Sequence, residues 1–146
     1  VIAYIDSSAV LRPILNEPAG QPLSGLDVTR IFTSELTVLE CLRVLDRLRL
    51  TGEYDDEQVA TALKPLRQAE ETFSQIPINS HALELAAQPF GTVVRTLDAI
   101  HLAVAIQLRA AAPREEVGFM TDDRQQGRAA SGLRFRVLGS GPVARS

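Results

Sequence analysis

Arg95-Thr96-Leu97-Asp98-Ala99-Ile100-His101-Leu102-Ala103-Val104-Ala105 reads as a helix bound for the protein interior. Leu97, Ile100, Val104 and Leu108 recur at helical spacing, and the alanines at 99, 103 and 105 let another element approach closely. Asp98 is out of place there, because an unpaired buried carboxylate is expensive. One compensation is local: an acid in the first turn meets the positive end of the helix dipole, with Thr96 as the expected cap. The other is a cation shared with acids that the fold brings in from elsewhere.

The flanking sequence alternates short apolar runs with helical patterns. Residues 1–5 form an apolar run that ends at Asp6-Ser7-Ser8, a strand leading into a helix cap, and a helix follows over 9–16 with Pro13 kinking or limiting it. Pro18, Gly20, Pro22 and Gly25 make 17–27 a loop or short helix. A second strand is expected over 30–33. Ser34 then caps a long helix to about Leu50, with Val38, Leu42 and Leu45 on one stripe, Leu39 widening it, and Glu40 about two turns in. Gly52 ends that helix. Asp55 and Asp56 open another, which Pro65 disturbs, to about Phe73, and 75–78 is extended. Asn79 or Ser80 caps a helix through Ala87, and the stretch quoted above comes next. Strands over 117–120 and 135–138 flank a helix that runs to about Ser131 and is closed by Gly132. This alternation predicts a three-layer α/β/α sandwich around a mostly parallel sheet, as one domain over 1–146 with a flexible tail from about 139.

The composition supports a single domain. A chain of 146 residues, 45% apolar and 23% charged, has room for a core, and no apolar run is long enough to cross a bilayer. The N-terminus shows neither a basic leader nor a cleavage pattern, so a cytoplasmic location is expected. The chain starts at Val1, and a residue or two is expected ahead of it. A lone cysteine, Cys41, excludes an internal disulfide framework or a multi-cysteine zinc site, and its apolar helical setting suggests a packed thiol. The net charge of −3 does not by itself announce a nucleic-acid partner. No acid follows Asp123, whereas Arg124, Arg128, Arg134, Arg136 and Arg145 do. Divalent cations on a cluster of acids would turn the balance positive, so an anionic substrate stays open.

Sites in parallel α/β sheets form where strands end and helices begin. Asp6 and the Asp122-Asp123 pair stand at such ends, Asp98 starts a helix, and Glu40 lies on the helix after the second strand. Four acids from four segments can therefore meet at one sheet edge. Ionised together they oppose each other, and an oxygen-only set without a cysteine or histidine arrangement suits Mg²⁺ or Mn²⁺. Each acid also has a plainer use: Asp6, Asp122 or Asp123 as a helix cap, and Glu40 as a partner of Arg43 or Arg47 on a solvated face. His101, one turn after Asp98, is expected as a hydrogen-bonded core residue.

In this combination the sequence resembles the PIN-domain ribonucleases, and among them the VapC-type toxins of bacterial toxin-antitoxin pairs. The matching segments are Asp6-Ser7-Ser8-Ala9, Ser34-Glu35-Leu36-Thr37-Val38-Leu39-Glu40, Leu97-Asp98-Ala99-Ile100-His101-Leu102-Ala103 and Thr121-Asp122-Asp123-Arg124. They occur in the family's order and span nearly the whole chain. The resemblance implies metal-dependent endonucleolytic cleavage of RNA, with Asp6, Glu40, Asp98 and Asp123 as catalytic and metal-binding acids. The family's Thr-x-Asp pattern selects Asp123, with Asp122 as the alternative fourth acid. Thr121 matches the hydroxyl beside the metal, and Ser7 is expected to orient a water or a carboxylate. A further acid common in the family is missing, since Arg124, Gln125 and Gln126 stand in that region. Arg43, Arg47, Arg95 and Arg124 are candidates for RNA-backbone contacts. The resemblance also implies a homodimer silenced by a cognate VapB-type antitoxin.

Two rival readings come from other classes. One is a Mg²⁺-dependent phosphatase or phosphoacceptor domain, which also places an aspartate after its first strand. Ser8 stands where a haloacid-dehalogenase-type site needs a second aspartate, and the only lysine, Lys64, does not suit a receiver domain. The other is a catalytically inactive PIN-fold binding protein.

Overall fold

The computed structural model describes residues 1–15 and 27–139. Apart from Asp27 and Gly139, the loop expected over 17–27 and the tail expected over about 139–146 lie outside the described residues. Five parallel strands, β1 (Ile2–Ile5), β2 (Arg30–Ser34), β3 (Ser74–Ile76), β4 (Val117–Met120) and β5 (Arg136–Leu138), form one sheet in the order β3-β2-β1-β4-β5. All four residues of β1 and all four of β4 are buried, as strands with helices on both faces must be. The two run in register from Ile2 against Val117 to Ile5 against Met120.

The period of two along β1 divides the core. Ala3 and Ile5 face a cluster with Val10, Leu11, Cys41, Leu45, Ala62 and Leu66, contributed by α1 (Ser7–Ile14), α2 (Thr37–Leu50) and α3 (Asp56–Thr72). Ile2 and Tyr4 face Leu102, Val104, Phe119, Ala129 and Ala130, on the side of α4 (Ser80–Ala86), α5 (Thr96–Ala111) and α6 (Arg124–Gly132). The expected three-layer sandwich is therefore present, with its sheet wholly parallel. Cys41 is fully buried, as a packed thiol should be.

Several local expectations change. Ser34 does not cap the second main helix: it ends β2, and its Oγ accepts from the Leu36 N–H at 2.9 Å. The helix therefore starts at Thr37, which places Glu40 in its first turn rather than two turns in. Thr96 is inside α5, and Arg95 takes the cap position without a side-chain bond, its carbonyl accepting from the Ala99 N–H at 2.8 Å. Leu39 and Leu97, expected to be core, are 54% and 48% exposed, which frees both to line a cleft. Gly52 does end α2, at φ +78°. Gly132 ends α6 as expected, but the left-handed turn falls two residues later, on Arg134 at φ +66°.

Candidate active site

A parallel sheet aims every strand the same way, so the helices that follow it begin at one edge. Asp6 is the N-cap of α1 and accepts from the Ala9 N–H at 3.2 Å. Asp123 is the N-cap of α6 and accepts from the Gln126 N–H at 3.1 Å. Glu40 and Asp98 lie in the first turns of α2 and α5. All four line one cleft of about 580 Å³, together with Ser7, Ser8, Leu39, Arg43, Arg47, Arg95 and Leu97. The positive ends of four helices thus meet where the acids meet, which partly offsets the cost of their charge.

The offset is incomplete. Asp6 is only 3% exposed, and burial pushes its carboxyl up to about 6, against the lowering effect of its hydrogen bonds. Burial also raises Asp98, opposed by Arg95 and reinforced by the charge of Asp123. Arg95 spans these two acids, with Nε 3.4 Å from Asp98 Oδ2 and a terminal nitrogen 3.3 Å from Asp123 Oδ2. Asp98 is thus compensated by an arginine from its own helix end. Among the described residues, no three His, Cys, Asp or Glu side chains stand close enough to hold a metal ion as arranged here. The four acids share a cleft without closing into a ligand set.

A hydroxyl network supports the cleft floor. Ser8 Oγ donates to Asp6 Oδ1 at 2.7 Å, accepts from the Asp122 N–H at 2.9 Å, and lies 3.1 Å from Thr121 Oγ1. Thr121 Oγ1 in turn accepts from the Asp123 N–H at 3.1 Å. Ser7 Oγ donates to Glu40 Oε2 at 3.3 Å. Of these, Ser8 was not singled out from the sequence, although a hydroxyl two residues after Asp6 at a helix start was a readable signal.

The doubled acid separates by geometry. Asp123 lines the cleft, whereas Asp122 is paired with Arg12 of α1 at 2.5 Å. Arg43 and Arg47 line the cleft as well, though Arg43 is also bonded to Asp46 at 3.1 Å. Arg124 is exposed and outside the cleft lining. Glu40 pairs with neither arginine. Its Oε1 is bonded at 2.5 Å to Nε2 of His101, which is 2% exposed, and His101 Nδ1 bonds the Tyr4 hydroxyl at 2.6 Å. His101 is the expected hydrogen-bonded core residue, and its partner is an acid of the cleft. Burial opposes a charge on it, yet the bond to Glu40 and that carboxylate's charge leave its pKa raised.

An acid-lined cleft at the carboxyl edge of a parallel α/β sheet defines the class of protein to which this chain belongs. The PIN domain family model matches residues 3–131, and the chain is a member of that family. This membership leaves the phosphatase and phosphoacceptor readings without support. The sequence finds no match among curated proteins. Among solved structures, FitAcB from Neisseria gonorrhoeae superposes with a TM-score of 0.65 at 18% identity, over 93% of this chain and 96% of that one. VapBC2 from Rickettsia felis, solved bound to a promoter DNA fragment, gives 0.63 at 10% identity over 94% and 97%. PAE2754 from Pyrobaculum aerophilum gives 0.61 at 17% over 94% and 83%. Likeness at such identities establishes the fold. Among the described residues, no helix is long and apolar enough to cross a membrane.

Proposed function

We propose that the protein is a Mg²⁺- or Mn²⁺-dependent endoribonuclease acting as the toxin of a toxin-antitoxin pair. The observation that carries this reading is the convergence of Asp6, Glu40, Asp98 and Asp123 on one cleft, from four helix N-termini of a PIN-family chain. Asp6, Asp98 and Asp123 are assigned as metal ligands. They offer oxygen donors only, and burial raises the pKa of both Asp6 and Asp98, a cost that a bound cation would offset. Arg95 bridges Asp98 and Asp123 in a place where a cation is electrostatically welcome.

Held by Asp6, Asp98 and Asp123, a divalent ion would neutralise phosphate charge and lower the pKa of a water to near neutral pH. Glu40, tethered through both carboxylate oxygens, orients the attacking water. Attack at phosphorus breaks the bond to the 3′-oxygen, leaving a 5′-phosphate and a 3′-hydroxyl. Arg43, Arg47 and Arg95 on the cleft wall bind the RNA backbone and position it without reading its bases. Ser7 and Thr121 hold Glu40 and the Asp123 backbone in place.

The toxin assignment rests on the family and on fold likeness to proteins solved as toxin-antitoxin assemblies, among them a complex from Klebsiella pneumoniae. A VapB-type antitoxin and a homodimer accompany it. The experiment is cleavage of a panel of cellular RNAs with Mg²⁺ or Mn²⁺, with Asp98→Asn as the control. Metal-dependent cleavage lost in Asp98→Asn supports the reading. A wild type that cuts no RNA in the panel and binds neither ion overturns it in favour of an inactive PIN-fold binding protein.

A further inference from the structure

We propose that His101, braced by Tyr4, is a positioning residue that clamps Glu40 against the core, keeping it as a water-orienting group rather than a direct metal ligand. The inference rests on the nuclease reading above and assigns a residue that the four-acid pattern does not contain.

The clamp is a chain of three groups from three elements. An ionised carboxylate only accepts hydrogen bonds, so the His101 nitrogen 2.5 Å from Glu40 Oε1 carries the proton and donates it. The other ring nitrogen bonds the Tyr4 hydroxyl at 2.6 Å, as acceptor in the neutral ring and as donor in the imidazolium. Burial keeps that phenol protonated, its pKa raised well above the usual range. Tyr4 has no freedom to turn away: it is fully buried and stacked on Phe119, with ring centroids 5.3 Å apart. His101 is flanked by the buried residues Leu102, Ala103, Val104 and Ala105 on α5. An imidazole in so apolar a setting must bond both ring nitrogens or lose several kilocalories of solvation, so its orientation is fixed.

The consequence falls on Glu40. Its second oxygen accepts from Ser7 Oγ at 3.3 Å, so both oxygens are tied and the carboxylate plane is set. A free glutamate in a first helical turn would sample several rotamers and could swing toward Asp98 and Asp123. Here such a swing breaks the bond to a buried histidine and leaves its N–H unsatisfied. Glu40 is thereby held apart from the other acids, poised toward a water.

The test uses full-length protein and two readouts, kcat and KM for RNA cleavage and the Mn²⁺ dissociation constant by calorimetry. His101→Leu should lower kcat about 10- to 100-fold, with KM and Mn²⁺ affinity changed less than about threefold. His101→Gln, which keeps an N–H toward Glu40, should recover much of that loss. Tyr4→Phe, which removes one hydroxyl from an intact core, should lower kcat more mildly in the same direction, and it decides the matter if His101→Leu does not fold. Wild-type kcat in the folded variants overturns the clamp, and so does a tenfold loss of Mn²⁺ affinity, which would make Glu40 a direct ligand. Either result leaves the nuclease reading standing as long as the wild type binds Mn²⁺ and cuts RNA. A wild type that does neither overturns the reading and the clamp together.

Discussion

Replacing Asp122 and Asp123 one at a time by asparagine should separate stability from activity. Asp122 and Arg12 face each other at 2.5 Å with side chains 12% and 15% exposed. Among the described residues the Arg12 guanidinium is held by Asp122, and its Nε is buried without a hydrogen bond. Breaking a fully buried pair costs about 3–5 kcal/mol and an exposed one at most about 1. At this burial, with an amide oxygen still available to the guanidinium, Asp122→Asn should cost about 2 kcal/mol. For a chain of this size that lowers Tm by roughly 4–8 °C. Asp123→Asn keeps the cap, because an asparagine oxygen accepts from the Gln126 N–H as well as a carboxylate does, so its Tm should move by about 1 °C. Activity should follow the opposite order, with cleavage lost at 123 and retained at 122 below the melting range. Thermal denaturation and RNA cleavage on the same preparations test this. An Asp122→Asn variant with unchanged Tm, or an active Asp123→Asn variant, refutes the assignment.

Three further outcomes follow from the same geometry. Asp6 binds its proton more tightly folded than unfolded, so without divalent metal stability falls as pH rises from about 4 to 6, and Asp6→Asn should be up to about 3 kcal/mol more stable than wild type at pH 7 yet equal to it near pH 4. Denaturant titrations at the two pH values in a chelator would show this, and equal stability at pH 7 would count against it. Arg95→Ala removes a competing cation that is 71% exposed, so Mn²⁺ should bind about fivefold tighter with Tm almost unchanged; weaker binding in calorimetry would reverse the role given to Arg95. Arg134→Gly relieves the left-handed backbone after α6 and should raise Tm by about 1–3 °C, whereas a drop would mean that the side chain contributes more than the strain costs.

The parts of this fold that local pattern encodes were readable. Short apolar runs that alternate with helical periods led to a parallel sheet, and the acids at strand ends and helix starts then fell along one edge. Helix starts were less legible, because hydroxyls compete for the role. Ser34 and Thr96 both resemble caps, but the chain needed Ser34 for the turn after β2 and began α5 at Thr96 itself, with Arg95 in the cap position. The histidine clamp was hidden for a different reason. His101 and Glu40 are 61 positions apart, and nothing in the spacing of either helix announces the other. Arg12 and Asp122, 110 positions apart, were hidden in the same way, and their pairing adds a geometric ground to the Thr-x-Asp pattern that favours Asp123.

Asp6 and Asp123 do two jobs, since each is the cap on which a helix begins. Most replacements at these positions remove the cap and the charge together, the cap alone being worth about 0.5–2 kcal/mol. Asparagine, serine and threonine keep the helix start and discard the charge. An asparagine, serine or threonine at position 6 or 123 of a related chain would therefore keep the helix start without the carboxylate that the nuclease reading requires.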